Sequence, residues 1–179
     1  MIADTKPQNV IVVAMLIIGI ISGIGIATTA NFYGGSYVIV KYLDIDLEEV
    51  RVGNLDPGNL TINPTIQMDF SIVAPETNAG EAYVTFLTAS VYLNGEKLSY
   101  ASFRRSIPTE HRTVTPGYDQ TFTIASSIRE SIDKYTLYNA SADAEWIWGI
   151  TLTIFYDVFD SPGDQVRVLA FSYEGYEEL

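Results

Sequence analysis

The side chains with reactive potential are few. The chain carries one histidine, His111, and no cysteine. A hydroxyl nucleophile activated by a histidine would have to recruit this one residue from Pro108-Thr109-Glu110-His111-Arg112, and no Gly-x-Ser-x-Gly elbow presents such a nucleophile. Thiolate catalysis, disulfides and cysteine-ligated zinc or iron–sulfur sites are excluded outright. His111 reads as a solvated loop residue beside Glu110 and Arg112, so no enzyme activity, catalytic residue or cofactor is expected. Asp157, Asp160 and Asp164 gather around the turn Ser161-Pro162-Gly163. An oxygen-rich turn can hold Ca²⁺, but this spacing is not that of an EF-hand loop, and hairpin tips favour the same residues without any metal. They form a weak calcium candidate. Arg104, Arg105 and Arg112 are the one basic cluster, suited to a phosphate, an acidic glycan or a partner's carboxylate, with local ion pairing as the competing reading. Asn59-Leu60-Thr61 and Asn139-Ala140-Ser141 are N-glycosylation sequons.

The surroundings of these groups are acidic. With 22 acidic and 10 basic residues the net charge is −12, and a surface of that sign repels nucleic acid, which is excluded as a partner. Only 18% of residues are charged, so the imbalance reflects scarce Lys and Arg more than a dense acidic shell.

The element that must position everything else is Val10 to Ala30, an uncharged run VIVVAMLIIGIISGIGIATTA. As a helix it would extend about 32 Å, matching a hydrocarbon core of about 30 Å. Its many Val and Ile residues favour strands in water, whereas in lipid a lone segment satisfies its backbone only as a helix. Insertion is favoured by roughly −3 to −7 kcal/mol from the Val, Ile and Leu residues. A cleaved signal peptide would have a shorter apolar region behind a basic start, and only Lys6 precedes this one. Residues 1–9 form a short polar tail, and the flanking charges, with the two sequons, lean toward a cytoplasmic N-terminus and an extracytoplasmic domain. Gly19, Gly23 and Ala27 fall on one helical face where another helix could pack, so self-association through the helix is open. Residues 31–42, with Phe32, Tyr33, Tyr37 and Tyr42 around Gly34-Gly35, read as an aromatic belt and a flexible juxtamembrane linker.

From residue 43 to 179 the pattern is that of one β domain. Leu43, Ile45 and Leu47 alternate with Asp44, Asp46 and Glu48, and Ile66, Met68, Phe70 and Ile72 with Gln67, Asp69 and Ser71, each predicting a strand with one buried face. Ala82 to Leu93 predicts a covered strand, Asn94-Gly95 a hairpin turn, and Lys97 to Ile107 the returning strand. Tyr118 to Ile124 predicts another. Ser127 and Glu130 have capping-box spacing ahead of Ile128, Ile132 and Tyr135, predicting a short amphipathic helix to about Tyr138. Trp146, Trp148, Ile150, Leu152, Ile154, Tyr156 and Val158 line one side of the next strand, with the tryptophans expected in the core, and Val166 to Tyr173 pairs back. The expected fold is all-β, an antiparallel sandwich of about seven strands and one short helix behind an N-terminal transmembrane helix.

Phe70 to Pro75 (FSIVAP), Val91 to Leu98 (VYLNGEKL), Ile107-Pro108 and Thr121 to Ile124 (TFTI) resemble the type 2 late-embryogenesis-abundant family, the water-stress and hypersensitive-response domain. The resemblance covers residues 43 to 173, with the family's Asn-Pro corner falling at Ala74-Pro75 and an Asn63-Pro64 standing one strand earlier. It implies a binding or protective module at a membrane surface, with no catalytic residues to carry over; the chain is expected to be non-catalytic, with a structural, protective or binding role and a protein or glycan partner at the cell surface. The alternative expectation is a subunit or anchor of an archaeal-type surface filament or S-layer, with the apolar helix used for assembly. Lys6-Pro7-Gln8-Asn9 lacks the basic-glycine processing site such subunits usually carry.

Overall fold

The structure is a computed structural model that describes residues 6–159 and 165–179. One long helix, α1 (Lys6–Lys41), leads into ten strands: β1 (Asp44–Gly53), β2 (Thr65–Val73), β3 (Ala82–Leu93), β4 (Glu96–Lys97), β5 (Phe103–Ser106), β6 (Thr113–Val114), β7 (Asp119–Ser127), β8 (Ile147–Asp157), β9 (Gln165–Glu174) and β10 (Glu177–Glu178). A second helix, α2 (Ser131–Asp143), lies between β7 and β8, and a single 3-10 turn covers Thr109–His111.

The strands form two sheets. One has the order β10-β1-β2-β7; in the other, β4, β5 and β6 all pair with β3, followed by β8 and β9. Pairing is antiparallel except where β10 runs parallel to β1. The two sheets share one buried cluster, to which β2 contributes Ile66, Met68, Phe70 and Ile72 and β8 contributes Trp148, Ile150, Leu152 and Ile154. Phe70 of one sheet meets Phe171 of the other with ring centroids 5.7 Å apart. Trp146 and Trp148 are buried as their spacing predicts, and the Trp148 indole N–H donates to the Gly175 carbonyl at 2.8 Å.

Two strands, β1 and β3, change face partway along, each at a bulge. In β1 the buried positions are Ile45, then Val50 and Val52, because a bulge between Leu47 and Glu49 shifts the register by one residue. The alternation that opens the strand therefore does not extend to its end.

The strand count exceeds the seven or so expected because the predicted return from Lys97 to Ile107 is split in two and because β6 and β10 add two short strands. The Asn94-Gly95 turn forms, with positive φ at both residues, 51° and 83°, as a two-residue hairpin requires. After β4, however, the chain leaves the sheet at Ser99 and Tyr100 and rejoins β3 as β5. The backbone N–H groups of Ser99 and Tyr100 donate instead to the carboxylate of Asp133, at 3.2 and 3.1 Å. β6 and β10 are two residues each, too short to show any period.

The same carboxylate explains why α2 differs from its predicted form. Ser127 ends β7 and makes no cap; the helix starts at Ser131, with Glu130 at the N-cap position and no side-chain cap bond. Its buried face carries Asp133, Lys134, Leu137, Tyr138 and Ala140, while Ile132 and Tyr135, expected inside, are exposed. Two charged residues are buried because each has a backbone partner. Asp133 holds the 99–100 backbone and the Lys134 ammonium donates to the Leu60 carbonyl at 2.7 Å. α2 thus ties two loops together by polar contacts that hydrophobic periodicity cannot reveal.

Asp133→Ala should lower stability by about 2 kcal/mol, since the Ser99 and Tyr100 N–H groups lose a charged acceptor. Ile132→Ser should change it by less than about 0.5 kcal/mol. Urea unfolding of the full chain in detergent micelles, followed by tryptophan fluorescence, checks both.

Candidate functional site at the helix and domain junction

α1 has two unlike parts. Its apolar stretch touches nothing: the most hydropathic 18-residue window is 0% buried, and the helix is long and apolar enough to cross a membrane. Gly19 and Gly23 have no heavy atom within 4 Å of where a Cβ would stand, and Ala27 is exposed, so the small-residue face is bare of protein. The helix then continues without a break through residues 31–41, where the sequence suggests a flexible linker.

That continuation depends on two glycines from distant parts of the chain. A Cβ on Gly35 would overlap the Ala79 carbonyl, and one on Gly80 would overlap the Ser36 backbone nitrogen. Gly80 also has φ of +119°, which side-chain-bearing residues rarely adopt. At this contact the Ser36 hydroxyl accepts from the Glu81 N–H at 2.9 Å and donates back to the Phe32 carbonyl at 3.0 Å. Ser36 and Ile39 are fully buried. A glycine pair in a helix costs about 1 kcal/mol per residue relative to alanine, but here backbone-to-backbone packing offsets that preference. The predicted joint is instead a docking site.

Around it one aromatic pair joins α1 to the domain and two ring contacts stay local to the helix end. Tyr33 meets Phe159 edge-on with centroids 4.8 Å apart, and the Lys41 ammonium lies over the rings of Tyr37 and Tyr42 at 5.6 and 5.3 Å. Tyr37, Val40, Lys41, Val158, Phe159 and Arg167 line a cleft of about 430 Å³ beside the helix end. Arg167 donates to the Leu43 carbonyl at 2.7 Å, joining β9 to the start of β1. Neither Arg167 nor Gly80 stands out in the sequence, although Gly34-Gly35 and Asn78-Ala79-Gly80 are both visible as small-residue breaks.

The basic cluster is not assembled as one surface. Arg104 and Arg105 are neighbours on β5 and so point to opposite faces, Arg104 outward. Arg105 reaches across to β7, donating to the Thr123 carbonyl at 2.9 Å, and Arg112 donates to the Ile107 carbonyl at 2.8 Å. Two of the three are therefore engaged by backbone, and among the described residues the ion pairs belong to Arg51, with Glu49 and Asp69.

His111 is exposed in the 3-10 turn, and its carbonyl accepts from the Tyr118 hydroxyl at 2.7 Å. Burial pushes the Tyr118 phenol up to about 12. Asp157 is half-buried on β8, with one carboxylate oxygen lacking a hydrogen-bond partner among the described residues, whereas Asp160 and Asp164 lie outside them. Among the described residues no group of three His, Asp or Glu side chains could hold a metal ion. Asn59 sits in the loop between β1 and β2, and Asn139 within α2.

One carboxyl pair is unusual. A hydrogen bond with Glu177 raises the Glu49 carboxyl above its ordinary 4.5, helped by slight desolvation and the Glu177 charge, and opposed by Arg51. The two residues join β1 to β10.

No family model matches the chain, and no curated protein matches it either. Among solved structures it is similar to a protein from Archaeoglobus fulgidus, with a TM-score of 0.46 and 16% identity over 75% of this chain and 99% of that one.

Two outcomes follow from this geometry. Gly80→Val, combining steric overlap with a disfavoured φ, should weaken docking by about 1.4 kcal/mol or more and speed tryptic cleavage after Lys41 roughly tenfold in lipid nanodiscs. A raised carboxyl pKa in the folded state means that protonation favours the folded pairing. The contribution of Glu49 is therefore fully present below its ordinary value of 4.5 and is lost as pH rises through the elevated one. The Leu179 amide, which donates to the Val52 carbonyl at 3.2 Å, should show a higher protection factor at about pH 4 than at about pH 7. Glu177→Gln should remove most of that difference.

Proposed function

We propose that the chain is a single-pass membrane protein whose C-terminal β-sandwich, similar to the type 2 late-embryogenesis-abundant fold, faces outward and serves as a non-catalytic structural or binding module. The observation that carries this reading is the division of α1 into a bare apolar stretch and a docked end. The whole helix measures about 54 Å, whereas a hydrocarbon core takes about 30 Å. If residues 10–30 lie in lipid, the remaining turns are those that carry Ser36 and Ile39 into the domain core. The sandwich would then stand close to the bilayer in one orientation, with Phe32, Tyr33 and Phe159 at headgroup depth, where aromatic rings are favoured. Its partner is a protein or glycan at the cell surface.

A second reading, a subunit of a surface filament, draws support from the uncovered Gly19, Gly23 and Ala27 face. Small residues let helices approach closely, and a helix held rigidly to its domain would transmit that packing into a defined lattice.

The absence of cysteine makes topology simple to measure. A membrane-impermeant maleimide applied to intact cells should label Ser172→Cys on β9 and leave Asn9→Cys unlabelled until the cells are permeabilised. The opposite pattern overturns the outward reading. Negative-stain imaging of membranes bearing the full chain should show separate particles; filaments would replace the solitary anchor with the assembly reading.

A further inference from the structure

The two sequons stand at the same end of the domain in opposite local states. β1 runs about 33 Å away from the end of α1, so the loop that follows it lies at the pole remote from the helix. α2 is at that pole too, since Lys134 reaches the Leu60 carbonyl. Distance from the helix therefore does not separate Asn59 from Asn139; their backbones do.

Asn59, Leu60 and Thr61 are exposed and belong to no helix or strand. The Asn59 side-chain oxygen accepts from the Thr61 N–H at 3.1 Å and from the Thr61 hydroxyl at 2.6 Å. The hydroxyl that defines the sequon thus already engages the amide oxygen, and among the described residues no acceptor takes the amide nitrogen. The loop is held by Asp56, whose side chain accepts from Gly58 N–H at 3.1 Å, so the motif is displayed on a formed turn. Asn139 lies inside α2 between Tyr138 and Ala140, which are 7% and 1% exposed. To wrap the extended backbone of that sequon, an enzyme would have to unwind the helix and withdraw Leu137, Tyr138 and Ala140 from the core.

Resting on the outward orientation proposed above, we infer that Asn59 is the N-glycosylation acceptor of the folded domain and that Asn139 is not. In the transfer, the Asn59 Nδ2 attacks the anomeric carbon of an oligosaccharide carried on a polyisoprenyl phosphate or pyrophosphate. The nitrogen–carbon bond forms as the bond from that carbon to the phosphate oxygen breaks. The lipid phosphate departs with the electron pair, and the Nδ2 proton passes to a base of the transferase. The glycan would project from the pole opposite the helix, clear of any membrane contact.

The test uses the purified full chain in lipid nanodiscs, a detergent-solubilised single-subunit oligosaccharyltransferase and a lipid-linked oligosaccharide, with occupancy read site by site by peptide mass spectrometry. In the folded chain Asn59 should be modified at least about tenfold more than Asn139, because Asn139 reacts only after local unfolding. In the tryptic digest of the same chain, offered as the acceptor, the two sites should differ by only a few-fold. Thr61→Val should abolish modification at Asn59, and Thr61→Ser should retain it. Equal occupancy in the folded chain, or Asn59 unmodified when folded yet modified in the digest, overturns the inference. Inward labelling of Ser172→Cys overturns the orientation and leaves the folded-state selectivity measured here unchanged, so the two failures are distinguishable.

Discussion

Backbone packed directly on backbone at Gly35 and Gly80 is the contact on which the rest of the arrangement depends. A helix end has carbonyls without partners, and a long apolar helix gives no reason for a domain to adopt any one orientation beside it. Removing both Cβ atoms lets α1 approach the Ala79-Gly80 turn closely enough for Ser36 to bond Glu81 and for Ile39 to join the core. The final turns of α1 then join the domain through Ser36 and Ile39. Tyr33 meets Phe159 only because the axis is fixed there.

The two sheets that share the core are bridged at two places by an arginine that donates to a backbone carbonyl. Arg105 crosses from β5 to Thr123 on β7, and Arg167 from β9 to Leu43 at the head of β1. Edge strands expose unpaired peptide groups that invite pairing with other chains, and a long cation laid across an edge hinders it. In a chain with 10 basic residues, committing two of them this way leaves little basic surface for anions. The shortage of free cations is thus partly a consequence of how the fold is closed.

Polar burial follows the same logic at the far pole. Asp133 and Lys134 are inside the domain because each meets backbone groups that loops cannot satisfy themselves. A buried carboxylate with two N–H donors organises a loop more specifically than an aliphatic side chain would. It also reverses the face that α2 turns inward, leaving Ile132 and Tyr135 in solvent.

The sequence by itself determined the apolar helix, the strands with clean alternation such as β2 and β8, the tryptophans in the core and the Asn94-Gly95 hairpin. Each depends on periodicity or on the φ requirements of a few adjacent residues, which are local properties. The tertiary structure alone decided that residues 31–41 remain helical, that β1 shifts face at its bulge, that α2 buries charge and that Arg104, Arg105 and Arg112 part company. In each case the deciding partner lies far along the chain, Gly80 for Gly35, Ser99 for Asp133 and Thr123 for Arg105. Local propensities of about 1 kcal/mol yield to such contacts, and a sequence pattern cannot show which distant backbone group will arrive to make them.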